Sequence, residues 1–227
     1  MKNADFPEYR EQNGGIFKRF TYKNAEVLRC DITYPVFAPK TFQTARINRW
    51  YAGQAALYES SAKNKFYPEA VRQYNSLLTA RGFEPLGVGV SYGVMYSQNG
   101  LLSVFLDTSE QLRYSGSHLY RTSQTWLTKS AARMPIGYFF KPTSPWRNVI
   151  LDEINQRLES EEISLTGAFY ADAQKRLKRY ISGENYYLAD DGFVLYFQQG
   201  VIAPANAGIP SFLIPYGALA PYLNMVL

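Results

Sequence analysis

The chain has 227 residues, 24 Lys and Arg against 19 Asp and Glu, and 46% hydrophobic against 19% charged residues. This excludes a disordered chain and suits one large domain or two small ones with a core that needs no covalent staples. One Cys closes no internal disulfide, one Cys with one His does not furnish the usual zinc ligand sets, and a net charge of +5 favours anionic partners at long range.

Residues 1–15 read as a flexible polar lead-in ending in the turn Asn13-Gly14-Gly15. Ile16 to Tyr22 and Glu26 to Tyr34 are rich in aromatic and β-branched residues around Lys23-Asn24, which predicts a hairpin ended by Pro35 and Pro39. From Phe42 to Lys65, Ile47, Trp50, Tyr51, Ala55 and Tyr58 recur at helical spacing. Pro68 interrupts that helix and opens a second, carried by Val71, Tyr74, Leu77 and Leu78 to Gly82. Gly87 to Tyr96, Leu101 to Asp107 and Leu112 to Trp126 form a three-stranded meander, turning at Gln98-Asn99-Gly100 and at Ser109-Glu110. Gly137 to Lys141 adds a short segment.

Ser144-Pro145 reads as N-cap and first position of a helix with Ile150, Ile154 and Leu158 on one face. Phe169, Ala173, Leu177 and Ile181 mark a further helix, with Lys175, Arg176 and Lys178 mostly on its outer side and Gly183 closing it. Asn185 to Ala189 and Gly192 to Gln198 flank Asp190-Asp191 as a hairpin, and Ser211 to Pro215 is a last strand. The order predicts an α+β fold: an antiparallel sheet with helices packed on one face, as a single domain over 16–227 with sub-lobes 16–141 and 142–227 sharing the sheet.

Little of this chemistry points to catalysis. Ser117 and His118 would face opposite sides of a strand, and no G-x-S-x-G elbow exists. Asp190-Asp191-Gly192 reads as a turn before an acid pair, and Glu159, Glu161 and Glu162 as a solvated helix end. The glycines at 87, 89, 93 and 100 lack the Lys-Ser/Thr of a phosphate loop and suit close backbone approach within strands. No metal, no cofactor and no catalytic residue is assigned. The basic cluster Lys175, Arg176, Lys178 and Arg179 comes without a nucleic-acid motif, so nucleic acid is not expected as a partner. No apolar run reaches the ~18 residues of a membrane span and no secretory signal opens the chain. The chain is therefore expected to be soluble, and cytoplasmic if Met1 is native.

At Tyr186-Tyr187-Leu188-Ala189-Asp190-Asp191-Gly192-Phe193-Val194-Leu195-Tyr196-Phe197, Ile202-Ala203-Pro204, Ala207-Gly208 and Ile214-Pro215-Tyr216, the chain resembles a known family. That family is the extracytoplasmic domain of lysozyme-sensing anti-sigma factors of the V type, which is also found as an accessory domain of some peptidoglycan deacetylases. Ile32-Thr33-Tyr34-Pro35, Ile47-Asn48, Ser91-Tyr92-Gly93-Val94, Gly100-Leu101-Leu102-Ser103-Val104 and His118 extend the likeness over about Val27 to Leu219. The chain departs from the family pattern at Gly200 and Ala205 and in Leu127 to Pro135. The resemblance implies an α+β fold, an extracytoplasmic location, and a non-catalytic domain that binds cell-envelope glycan or peptide. Lysozyme, commonly cationic, suits a chain at +5 less well as a partner. Tyr114, His118 and Tyr120, with Asn206 in the loop Gly200 to Gly208, are the residues expected to meet a ligand. The alternatives are a hydrolase acting on an envelope polymer and an intracellular scaffold reusing the fold.

Overall fold

A computed structural model of the chain describes residues 10–76, 83–112, 116–159 and 168–224. Strands β1 (Arg10–Tyr22) and β2 (Ala25–Ala38) form the expected hairpin, with Lys23 and Asn24 at φ 48° and 62°, the left-handed pair that a tight turn between twisted strands requires. The first strand begins earlier than expected. Asn13-Gly14-Gly15 is not a turn but pairs with Pro35, Tyr34 and Thr33. A Cβ on Gly14 would lie 2.5 Å from the Tyr34 ring, so this glycine serves close packing within a strand rather than chain reversal. Pro35 likewise lies inside β2. The pairing of β2 with β3 (Leu86–Gln98) covers only Leu28–Ile32, so the missing N–H at position 35 forfeits no bond to β3.

Helix α1 (Phe42–Ser61) opens on a capping box: the Thr44 N–H donates to the Thr41 hydroxyl at 3.1 Å and the Thr41 N–H donates to Thr44 Oγ1 at 2.8 Å. Thr44, Ile47, Tyr51 and Ala55 form its buried stripe. A five-residue π-helical stretch, Ala62–Phe66, leads directly into α2 (Tyr67–Ser76). The interruption expected at Pro68 is thus a change in winding rather than a loop; the wide turn absorbs a residue that cannot donate a helical hydrogen bond. Leu77, Leu78 and Gly82 lie outside the described residues.

This helical crossover returns the chain to β3 in the direction of β2, and the two pair in parallel, Leu28–Ile32 against Leu86–Val90. The turn signals predicted only antiparallel neighbours, because a parallel pair carries no local turn of its own. Strand β4 (Leu101–Leu112) follows the two-residue turn Asn99-Gly100, at φ 55° and 75°. It runs through Ser109-Glu110, where a turn was expected. Strands β5 (Gly116–Leu127) and β6 (Ala132–Arg133) complete a sheet ordered β1-β2-β3-β4-β5-β6. The fold is mixed α+β, as expected.

The chain forms two compact units. In the one comprising residues 10–93 and 106–119, Leu28, Cys30 and Ile32 of β2 and Leu86, Val88 and Val90 of β3 are buried, and α1 packs through Tyr51 against Phe37, ring centroids 6.2 Å apart. In the unit comprising 94–105 and 120–224, α3 (Trp146–Leu158) and α4 (Ala173–Tyr180) pack with β7 (Tyr186–Ala189), β8 (Gly192–Tyr196) and β9 (Ser211–Pro215), an antiparallel sheet followed by α5 (Tyr216–Leu219). Ile150, Ile154 and Leu177 join Phe139, Leu188, Phe193 and Ile214 in its core. The N-cap of α3 is Pro145, one residue later than expected, and Ser144 Oγ makes no hydrogen bond among the described residues. Gly137 to Lys141 is a 3-10 turn, Ile136–Phe139, with an isolated bridge from Phe140 to Leu223.

Candidate functional site

In the unit built around β2 and β3, the sheet face opposite the helices carries a polar trench. On β2, Leu28, Cys30 and Ile32 point into the core, which turns Arg29 and Asp31 outward. On β3 the corresponding outward positions are Gly87 and Gly89, and on β4 they are Ser109 and Gln111. The glycines make a floor with no side chains between two polar walls. Strands two apart stand about 9–10 Å from one another, which sets the span of the trench. Its volume is about 290 Å³.

Glycine lets the side chains of β4 reach over the floor. A Cβ at position 89 would come within 2.7 Å of Ser109 Oγ, and one at position 87 within 3.0 Å of Gln111 Oε1. Both side chains of the β4 wall therefore lean over β3. On the opposite wall, Asp31 accepts a hydrogen bond from Arg19 at 2.7 Å and Arg29 donates to Glu26. Both pairs are solvent-exposed and therefore weak, so a ligand exchanges with them at small cost. The trench thus offers an arginine, a carboxylate, a hydroxyl and an amide along one groove. Alternating Gly87 and Gly89 are the sequence signal for its floor; the wall residues carry none, because their convergence depends on strand register.

None of the described residues expected to meet a ligand is among those lining this trench. His118 and Tyr120 are exposed on β5, and Asn206 is exposed on the short 3-10 turn Ala205–Ala207. Tyr114 falls outside the described residues, as do Glu161 and Glu162. Asp190 and Asp191 sit in the β7–β8 turn, where Asp190 accepts from Gln98 at 3.2 Å. Glu159 accepts from Gln174 at 2.8 Å. Among the described residues no group of three or more His, Cys, Asp or Glu is placed to hold a metal ion, and no helix is long and apolar enough to cross a membrane.

The motif that carries the resemblance is largely packing. Tyr186, Leu188, Phe193 and Leu195 face one core, while Tyr187, Val194 and Tyr196 face a second cluster with Phe105, Ile209 and Leu213. Tyr186 donates to the Met134 carbonyl and Tyr216 to the Ala189 carbonyl at 2.8 Å; burial raises both phenols above their usual pKa. The Arg121 guanidinium lies 4.2 Å from the Phe105 ring centre and 5.7 Å from those of Tyr187 and Tyr196, covering the second cluster.

The mixed α+β fold has relatives among solved structures. Residues 138–217 match the family described as "Protein of unknown function (DUF3298)". The chain is similar to a member of the DUF3298 family from Bacteroides fragilis, 14% identical with a TM-score of 0.70, over 96% of this chain and 94% of that one. It is also similar to a DUF3298 family protein from Pseudomonas aeruginosa, 15% identical with a TM-score of 0.63, over 96% of each chain. At these identities the likeness establishes a shared fold. No curated protein matches the chain.

Proposed function

We propose that the chain is a non-catalytic binding domain whose trench over β3 takes a hydroxyl-rich polymer bearing carboxylates, of the kind found in cell-envelope glycans. The observation that carries this reading is the glycine floor between Arg29 and Asp31 on one side and Ser109 and Gln111 on the other. A carboxylate is matched by the planar guanidinium of Arg29, and hydroxyl groups by Asp31, Ser109 and Gln111. The net charge of +5 favours an anionic polymer at long range, and the resemblance of 186–216 to an extracytoplasmic sensing domain supports an envelope ligand.

The test is calorimetric titration with solubilised peptidoglycan fragments and, separately, with lysozyme. Saturable binding of the fragments, weakened at least tenfold by Arg29→Ala and by Gly89→Val, supports the trench. Binding that these variants leave unchanged while His118→Ala or Asn206→Ala abolishes it moves the ligand surface to those side chains. Binding of lysozyme alone replaces the glycan with a protein partner, and silence with both refutes the envelope reading.

A further inference from the structure

A second cavity, of about 520 Å³, lies in the other unit, beside β5. Most of its polar wall is already committed. Ser123 Oγ donates to the Tyr186 carbonyl, Thr125 Oγ1 shares a hydrogen bond with Ser103 Oγ at 2.8 Å, and the Tyr186 hydroxyl donates to the Met134 carbonyl. Three lining side chains are different: Gln124, Arg133 and Glu184 make no side-chain hydrogen bond or ion pair among the described residues, and the latter two are exposed. Arg133 and Glu184 carry opposite charges and line one cavity, yet do not pair with each other.

We propose that this cavity binds a small zwitterion, a molecule with a carboxylate and an ammonium group a few atoms apart, as in a free amino acid or a short peptide. The carboxylate meets the Arg133 guanidinium, whose fork matches it in two hydrogen bonds, and the ammonium meets Glu184. The Gln124 amide supplies a further donor and acceptor. The arrangement selects for both charges at once: a simple anion meets Arg133 but is repelled by Glu184, and a simple cation meets the reverse. The volume lies within the range of small-molecule sites and exceeds the need of a single amino acid, leaving room for a second residue. Arg133 is placed by the two-residue strand β6, which pairs with Trp126 and Leu127, and Glu184 by the turn leading into β7, so both charges stand beside strands.

The experiment titrates the whole chain with alanine and with alanyl-alanine, using acetate and methylammonium as singly charged controls, and follows heat and amide NMR shifts. Saturation by either zwitterion, at concentrations where neither control binds, is expected; alanine alone indicates a free amino acid, and a preference for the dipeptide indicates a peptide. Arg133→Gln and Glu184→Gln each lower affinity at least tenfold, and the double exchange Arg133→Glu with Glu184→Arg restores part of it. Arg29→Ala, in the trench, leaves this binding unchanged, which separates the two sites. Failure of both zwitterions to saturate, equal binding of acetate, or indifference to the charge variants overturns the proposal. Both substituted side chains are exposed, so a fold check by circular dichroism is expected to show native signal.

Discussion

Replacing Asn48 with Ala removes a side chain that stands in for a strand. Where β3 stops pairing with β2, at Ile32, the later residues of β2 still carry backbone groups directed away from β1. Asn48, on α1, answers them at Phe37: its amide oxygen accepts from the Phe37 N–H at 2.8 Å and its amide nitrogen donates to the Phe37 carbonyl at 2.9 Å. Phe37 is only 2% exposed, so water does not readily replace either bond. Losing two such bonds at about 1–2 kcal/mol each, for groups left partly unsatisfied, gives an expected destabilisation of about 2–4 kcal/mol. That is a large part of the 5–15 kcal/mol typical of a domain. Urea denaturation followed by tryptophan fluorescence measures it as a lower midpoint at unchanged slope. Asn64→Ala is the control, since among the described residues its exposed amide bonds only Ser60, at 3.0 Å, and its loss is expected to stay within about 0.5 kcal/mol. An Asn48→Ala cost below about 1 kcal/mol, or one equal to the control, would refute the idea that this side chain completes the sheet.

Two glycines give opposite expectations. A Cβ on Gly192 would stand 2.1 Å from the Ile214 carbonyl oxygen and 3.0 Å from the Pro215 Cα, both backbone, so Gly192→Ala is expected to cost more than about 4 kcal/mol or to yield no soluble protein. Apart from the backbone of α1 itself, nothing among the described residues lies within 4 Å of the same atom at Gly53, so Gly53→Ala is expected to raise stability by about 0.5–1 kcal/mol. Thermal midpoints of the two variants decide both. Burial raises the phenol pKa of Tyr186 and Tyr216, so the unfolded chain releases those protons first; stability is expected to be full below about pH 10 and to fall as pH rises further. Urea midpoints that stay constant to pH 11 would contradict this. Cys30 is fully buried and burial pushes its thiol up, so a disulfide reagent at pH 8 is expected to react only as the chain unfolds, with urea accelerating the reaction. Rapid reaction in the native state would place the thiol at the surface.

Much of this fold is legible in the chain because its signals are local. Lys23-Asn24, Asn99-Gly100 and Asp190-Asp191 mark turns by their own backbone preferences, and Ile150 and Ile154 mark a buried helix face by spacing alone. The misreadings share a cause. Gly14 looks like a turn residue until the Tyr34 ring across the hairpin is seen to occupy the space of its Cβ, and Pro35 looks like a strand end until β3 is seen to stop short of it. The parallel pairing of β2 with β3 has no local mark, since it depends on where a crossover of more than thirty residues, 42–76, returns the chain.

The candidate sites divide in the same way. Sequence alone determined the residue types: a chain with one His and one Cys, an excess of positive charge, and glycines at alternating positions of a strand. Tertiary structure decided which polar residues meet. Arg29 and Ser109 are eighty residues apart and share a trench only because parallel and antiparallel registers place β2 and β4 on either side of β3. Arg133 and Glu184 line one cavity because β6 and β7 bring their ends to the same wall. Alternation along a strand tells which way a side chain points, but what it faces is set by the partner strand, and the partner is chosen by burial of the whole core.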